Sequence, residues 1–227
     1  MSRSLSLTLS ATAAVSLFLS VLLSLSLFVG EAKSATGNGE ALARSDPVFA
    51  TAVNWLRELD NMQGEFLQVS SNGAQDQGRI WMRRPNRMRI EYDSQPLVLL
   101  ADGINWVVYD SEEDAKSEIL LSATPFHFIL QEDPDLSEIN VTRVHRAAGI
   151  LEVTFEDARH PEHGSMTLEF ASAPFVLRGW VVLDAQGRRT RVSLVNPVWN
   201  ADEARAPPFV LFRNDRLGPS APDPDRR

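Results

Sequence analysis

The chain has 227 residues, of which 44% are hydrophobic and 23% charged, enough apolar side chain for one sizeable core and too little charge for a disordered polyelectrolyte. With 22 basic and 30 acidic residues the formal charge is -8, so the surface repels phosphate backbones and anionic membranes, and nucleic-acid binding is set aside. No cysteine is present, which excludes disulfides, thiolate nucleophiles, sulfur-ligated zinc and an acylated cysteine of the chain's own.

In chain order, Arg3 precedes an uncharged stretch from Ser4 to Gly30 whose apolar heart runs from Val15 to Val29. Small residues follow: Ala32 with Ser34 permits cleavage before Ala35, and Gly30 with Ala32 permits an earlier cut. An uncleaved anchor competes, because Ala11 to Val29 approaches the roughly 20 residues that span a bilayer. The interspersed serines and the small-residue exit favour a cleaved secretory signal over residues 1–34, followed by a small, polar linker over 35–45.

Asp46 then caps a helix that has Pro47 at its first position, and Val48, Ala52, Trp55, Leu56 and Leu59 recur at helical spacing, predicting about four turns. From Phe66 the period changes to two. Phe66 to Val69 leads into the turn Ser70-Ser71-Asn72-Gly73, and a second strand begins near Gly78 and runs to Pro85-Asn86. Alternation resumes from Arg87 to Tyr92, so that Ile80, Met82, Met88, Ile90 and Tyr92 share the parity of Arg84. Further strands are expected at Leu97–Ala101, Trp106–Asp110, Ile119–Leu121, Ile139–Val144, Ile150–Phe155, Met166–Phe170, Val176–Leu183 and Thr190–Val195. Pro174 and the turn Asp184-Ala185-Gln186-Gly187 separate the last three. The domain is expected to end with Phe209 to Phe212, and residues 213–227 form a proline-rich, disordered tail.

So many short antiparallel strands predict a mainly β protein, a barrel or strongly curved sheet rather than a doubly wound α/β fold. One interruption stands out. Thr124-Pro125-Phe126-His127-Phe128-Ile129-Leu130 carries a cap, a proline at the first helical position and a dense apolar run, so it reads as a short helix that must cover something.

The chain contains neither a phosphate-binding Gly-x-x-x-x-Gly-Lys loop nor a Gly-x-Ser-x-Gly elbow. Ser165, after His163-Gly164, is the best serine nucleophile, yet such a triplet is commonplace in hairpins. His160-Pro161-Glu162-His163, with Asp157 upstream, has metal-donor types without the helical His-Glu-x-x-His spacing, so a polar, exposed loop is expected. His127 reads as a half-buried structural residue. Glu112, Glu113 and Asp114 read as a solvated run. Trp55, Trp81, Trp106, Trp180 and Trp199 are spread one per element, as core packing would place them, with room for some to line a cavity.

Read together, Gly78-Arg79-Ile80-Trp81-Met82-Arg83-Arg84-Pro85-Asn86-Arg87-Met88-Arg89-Ile90-Glu91-Tyr92 resembles the signature of the periplasmic outer-membrane lipoprotein carrier family, LolA. Phe66-x-Gln68 ahead of it follows the family's order, as do Leu99 to Gly103, Trp106 to Asp110, Thr124-Pro125-Phe126 with Ile129-Leu130, and Gly179 to Gly187. The resemblance spans residues 46–212, with a departure at Phe212-Arg213-Asn214-Asp215.

That resemblance implies an incomplete antiparallel β-barrel with a helical lid over an apolar cavity, in a periplasmic, monomeric, non-enzymatic carrier that needs no cofactor and no metal. It implies acylated lipoproteins as cargo, an inner-membrane ABC-type release complex as donor and an outer-membrane lipoprotein as acceptor. The acyl-chain cavity would comprise Phe66, Ile80, Met82, Met88, Ile90, Tyr92, Leu99, Trp106, Val108, Phe126, Ile129 and Leu130, with Met82 and Met88 either adapting to cargo or filling a closed core. Arg84 would hold the lid shut through backbone carbonyls, with Arg83 on the opposite face as its competitor for that role. The alternatives are a periplasmic sensor module of related fold, whose second domain this length does not accommodate, and an esterase, which would need an activated serine.

Overall fold

The computed structural model describes residues 44–201 and 207–211. The expected signal over 1–34, nearly all of the linker and the tail over 213–227 lie outside them. Among the described residues, no helix is long and apolar enough to cross a membrane.

Helix α1 spans Pro47–Arg57. Asp46 is its N-cap: the carboxylate accepts from the Val48 amide at 2.9 Å, which satisfies one of the donors a helix start leaves unpaired. Pro47 fills the first position, where its missing N–H costs nothing. Its buried stripe is Phe49, Ala52, Val53 and Leu56. The helix is one turn shorter than the apolar spacing suggested, because Leu59 lies beyond the cap at Glu58 and is buried without being helical.

Eleven strands follow: β1 Asn61–Ser70, β2 Gln75–Arg83, β3 Arg87–Tyr92, β4 Leu97–Asp102, β5 Asn105–Asp110, β6 Ala115–Leu120, β7 Ile139–Ala147, β8 Ile150–Asp157, β9 Gly164–Ser172, β10 Phe175–Asp184 and β11 Arg189–Trp199. All paired neighbours are antiparallel. Two meanders meet where β1 pairs with β11, giving the order β6-β5-β4-β3-β2-β1-β11-β10-β9-β8-β7. The sheet is therefore not closed. Its two edges, β6 and β7, are joined in sequence by the segment that holds a 3₁₀ turn at Leu121–Ala123, helix α2 at Phe126–Leu130 and a second 3₁₀ turn at Leu136–Glu138.

The expected cap of α2 is corrected. Thr124 does not cap the helix; its hydroxyl donates to the Leu121 carbonyl at 2.8 Å and so closes the preceding turn, while Pro125 occupies the cap position with no side-chain bond. Phe128, Ile129 and Leu130 of α2 are buried, and Phe128 packs against Phe155 with ring centroids 4.9 Å apart.

Period-2 alternation puts one face of the sheet inside. Phe66, Ile80, Met82, Met88, Ile90 and Tyr92 are all buried, whereas Glu65, Arg79 and Arg83 are exposed. Gly78 is needed at its site. A Cβ there would lie 1.9 Å from the Glu91 carbonyl oxygen and 3.0 Å from the Phe66 ring. Gly78 pairs with Phe66 on one side and Tyr92 on the other, and those rings meet edge-on at 5.3 Å.

The opposite face carries a smaller cluster. Residues 207–211 are not a strand; they bring Phe209 onto Leu100 and Val107 on the outside of the sheet, with the Arg83 guanidinium 5.3 Å from the Phe209 ring centre. Arg89, also on this face, donates to Glu91 at 2.7 Å and to the Pro208 carbonyl at 3.2 Å.

Candidate functional site

An apolar cavity of about 370 Å³ lies inside the curved sheet, toward the lower end of the roughly 300–1,000 Å³ typical of small-molecule pockets. Phe66, Ile90, Tyr92, Leu99 and Trp106 line it from the first meander, and Trp180, Val182 and Val192 from the second. Ala123, Thr124, Pro125 and Phe126 close it on the side of the open seam. Phe126 is stacked on Trp106 at 4.7 Å with the rings 8° from parallel, and it meets Trp180 edge-on at 5.9 Å. Offset and edge contacts of this kind add to the area each ring buries.

The polar lining residues mark the mouth. Ser71 and Asn72 of the β1–β2 turn, Arg189 at the start of β11, and His163 are exposed members of the lining, with Ala185 of the β10–β11 turn beside them. Asp184 builds the second turn: one carboxylate oxygen accepts from the Gln186 and Arg188 amides at 2.9 and 2.8 Å, and the other takes the Arg188 side chain at 2.6 Å.

The other end, at the β2–β3 turn, is plugged. There the Arg84 guanidinium donates to the Leu59 carbonyl just beyond α1 at 3.0 Å, to the Gln131 carbonyl at the end of α2, and to the Glu132 carbonyl at 3.0 Å. Two main-chain bonds reinforce it, Arg84 N–H to Asp60 O and Asn86 N–H to Leu130 O, both 2.8 Å. Burial pulls the Arg84 pKa below its ordinary value, opposed by the charges of Asp60, Asp133 and Glu132. Carbonyls at a helix C-terminus lack intrahelical donors, which makes them natural acceptors for a cation. Arg83 takes no part in this arrangement, since its guanidinium lies over Phe209 on the outer face.

Of the twelve residues expected in the cavity, Phe66, Ile90, Tyr92, Leu99, Trp106 and Phe126 line it. Ile80, Met82, Met88, Val108, Ile129 and Leu130 belong to the surrounding core and do not reach it. Both methionines are buried in the core cluster. Met82 and Met88 flank the β2–β3 turn, where α1 and α2 come in, so inward parity there meets helix rather than open space. Trp180, Val182 and Val192 were not on the expected list. Their alternation in β10 and β11 was visible, but only the β1–β11 pairing reveals that this half faces the same cavity.

Gln68 also lines the cavity and is only 4% exposed. Its amide oxygen accepts from the Tyr92 hydroxyl at 2.9 Å. Burial pushes the Tyr92 phenol far above its ordinary value, so it remains a protonated donor.

The other candidates lie outside. His160, Glu162 and His163 are exposed, as expected of a polar loop, and the structure gathers them: Glu162 Oε1 is 3.3 Å from His160 Nδ1 and 3.8 Å from His163 Nε2. Asp157 instead caps the loop, accepting from the Arg159 and His160 amides. Ser165 makes no hydrogen bond to either histidine among the described residues. His127 is half-buried, its Nε2 2.9 Å from the Gln131 amide nitrogen, which in turn donates to Glu138 at 2.7 Å.

Residues 57–206 match the family described as "Outer membrane lipoprotein carrier protein LolA". No curated protein sequence matches the chain. Among solved structures, a DUF1329 family protein from Desulfovibrio piger aligns with a TM-score of 0.42 at 10% identity, over 74% of this chain and 94% of its own. A LolA superfamily protein from Nitrosomonas europaea aligns at 0.40 and 10% identity, over 71% and 97%. MucB aligns at 0.42 and 18% identity, over 73% of this chain and 65% of its own.

Proposed function

The chain belongs to the LolA family, and from that premise we propose that it is a periplasmic carrier that shelters the acyl chains of lipoproteins between an inner-membrane ABC-type release complex and an outer-membrane acceptor. The observation that carries this reading is a single one: an apolar cavity covered by a short helix segment whose far end is clasped by Arg84.

An acyl chain leaving a bilayer exposes apolar surface worth about 0.8 kcal/mol per methylene, so a carrier must offer a dry interior of comparable free energy. Phe66, Leu99, Trp106 and Trp180 supply such a lining. A cavity of this size is small for several chains, so loading displaces the cover.

Displacing α2 exposes Phe128, Ile129 and Leu130, which costs roughly 5–9 kcal/mol at about 1.5–3 kcal/mol per side chain. Burying roughly six to eleven methylenes of cargo offsets that cost at about 0.8 kcal/mol each. Arg84 adds the polar part of the latch. In this reading the empty protein is held closed and the loaded protein is held open by its cargo, so release to an acceptor is helped by reclosure around Arg84. The protein acts by binding and release rather than by chemistry. A cleaved signal delivers it to the periplasm, and the exported form begins near Ala35 when the signal covers 1–34, or near Lys33 with the earlier cut.

The test is loading with triacylated lipoprotein and with its acyl-free form, followed by transfer to acceptor. Triacylated cargo alone is expected to bind. Equal binding of both forms overturns the cavity as the binding site, and hydrolysis of the acyl chains during the assay makes the protein an esterase instead.

A further inference from the structure

β1 carries a polarity gradient along its inward face. Phe66, Gln68 and Ser70 alternate inward, all three line the cavity, and the next residues, Ser71 and Asn72, form the exposed mouth. At about 3.3 Å per residue, Gln68 sits roughly 7 Å deeper than Ser70. Beyond it the lining is Phe66, Leu99, Trp106 and Trp180, mostly hydrocarbon and ring surface whose polar atoms are the two indole N–H groups.

An amide at that depth is costly unless it is bonded. Gln68 is 4% exposed, and the Tyr92 hydroxyl holds its oxygen at 2.9 Å. Its amide nitrogen makes no hydrogen bond among the described residues, so two N–H donors face the lumen of an apolar cavity. The arrangement is oriented. Tyr92 is fixed by its edge-on contact with Phe66 at 5.3 Å, and Gln68 is fixed between Asp76 of β2 and Val192 of β11. A buried donor pair with one apolar side and one mouth side suits a ligand whose acceptor lies where a hydrocarbon tail meets a polar head.

We infer that Gln68, oriented by Tyr92, is a carbonyl-reading subsite: it donates to the ester or amide carbonyl of an acyl chain, with the tail running inward past Phe66 and the head group at Ser70 to Asn72. This rests on the proposed carriage of acyl chains and goes beyond it by assigning the chemical class read by the site. The cavity distinguishes acyl groups, which have a carbonyl at the head of the tail, from alkyl groups, which do not.

Two lysolipids of equal chain length test it: 1-palmitoyl-glycerophosphocholine, with an ester, and 1-hexadecyl-glycerophosphocholine, with an ether. Binding is followed below the micellar concentration through the fluorescence of Trp106 and Trp180, both of which line the cavity. One neutral hydrogen bond predicts a preference for the ester of about 2- to 10-fold in wild type. Gln68→Leu and Gln68→Met, both apolar and of similar volume, are expected to bring the ratio of ester to ether affinity to about one, whatever their absolute affinity for either lipid. An infrared spectrum of the bound ester, labelled with carbon-13 at its carbonyl, should show a hydrogen-bonded carbonyl in wild type that is lost in both variants. Equal binding of ester and ether by wild type overturns the subsite alone, and this result needs no variant to fold. A preference that survives in a folded Gln68 variant also overturns it. Binding of neither lipid removes the acyl-carriage reading itself, and this assignment with it.

Discussion

Arg84→Leu isolates the polar part of the latch. The variant removes three guanidinium-to-carbonyl bonds, to Leu59, Gln131 and Glu132, while leaving the main-chain bonds of Arg84 to Asp60 and of Asn86 to Leu130, both 2.8 Å. A hydrogen bond to a charged group is worth about 1.5–3 kcal/mol net. The freed carbonyls sit at a half-exposed edge where water replaces the donor, so the whole loss is closer to one such bond than to three. That corresponds to about a 10- to 100-fold shift toward the open form. It remains smaller than the burial of Phe128, Ile129 and Leu130, so the variant should stay folded and, when empty, mostly closed. Hydrogen exchange of the His127 and Gln131 amides, which donate to Thr124 O at 3.1 Å and His127 O at 3.0 Å, measures the opening directly. Their exchange should accelerate by about that factor. Loading should match or exceed wild type, and transfer to the acceptor should fall. Arg83→Leu, whose guanidinium lies over Phe209 on the outer face, should leave exchange over 121–132 unchanged. Unaltered protection in Arg84→Leu, or equal loss of protection in Arg83→Leu, refutes the clasp.

Three further outcomes follow from single sites. Asp46→Ala should lower stability at neutral pH by about 0.5–2 kcal/mol through the lost N-cap. Its side-chain bond to Arg146 and the Val48 amide hold the Asp46 pKa below its ordinary 3.8, so its contribution is present above that value and lost as pH falls through the lower folded value. The gap between variant and wild-type denaturation midpoints should therefore close in strong acid, and a gap that persists there refutes the assignment. Gly78→Ala should be destabilised by about 1–3 kcal/mol because its Cβ meets the Glu91 backbone at 1.9 Å; unchanged urea denaturation would show that β2 and β3 can shift apart. Val192→Phe should fill the cavity, abolishing binding of an acyl probe while leaving the melting temperature near that of wild type, and undiminished binding would place the cargo elsewhere.

Local signals carried much of the architecture. The change from a period of 3.6 to a period of 2 near Phe66 located the strands, Asp46-Pro47 located the start of α1, and Asp184 to Gly187 located a turn, because each depends on neighbours within a few residues. Parity also named the inward face correctly for Ile80, Met82, Met88, Ile90 and Tyr92. It could not say at what depth along the barrel the space is open. Ile90 and Tyr92 reach the cavity while Met82 and Met88, with identical alternation, flank the β2–β3 turn at the packed end where α1 and α2 arrive.

The remaining features depend on contacts across long stretches of chain. The partners of Arg84 lie 25, 47 and 48 residues away, and they exist only once the β1–β11 pairing curls the sheet and brings the β6–β7 connection over its seam. The same curling brings Trp180 and Val192 to the cavity that Trp106 lines, whereas the Tyr92 hydroxyl reaches the Gln68 amide oxygen across β2 and Phe209 packs on the outer face. Sequence periodicity is a property of one strand and reports only which side is apolar. Whether that side meets a helix, another strand or open space is settled by how the open sheet curls and what crosses its seam, where loop entropy is spent to gain contacts between residues far apart in the chain.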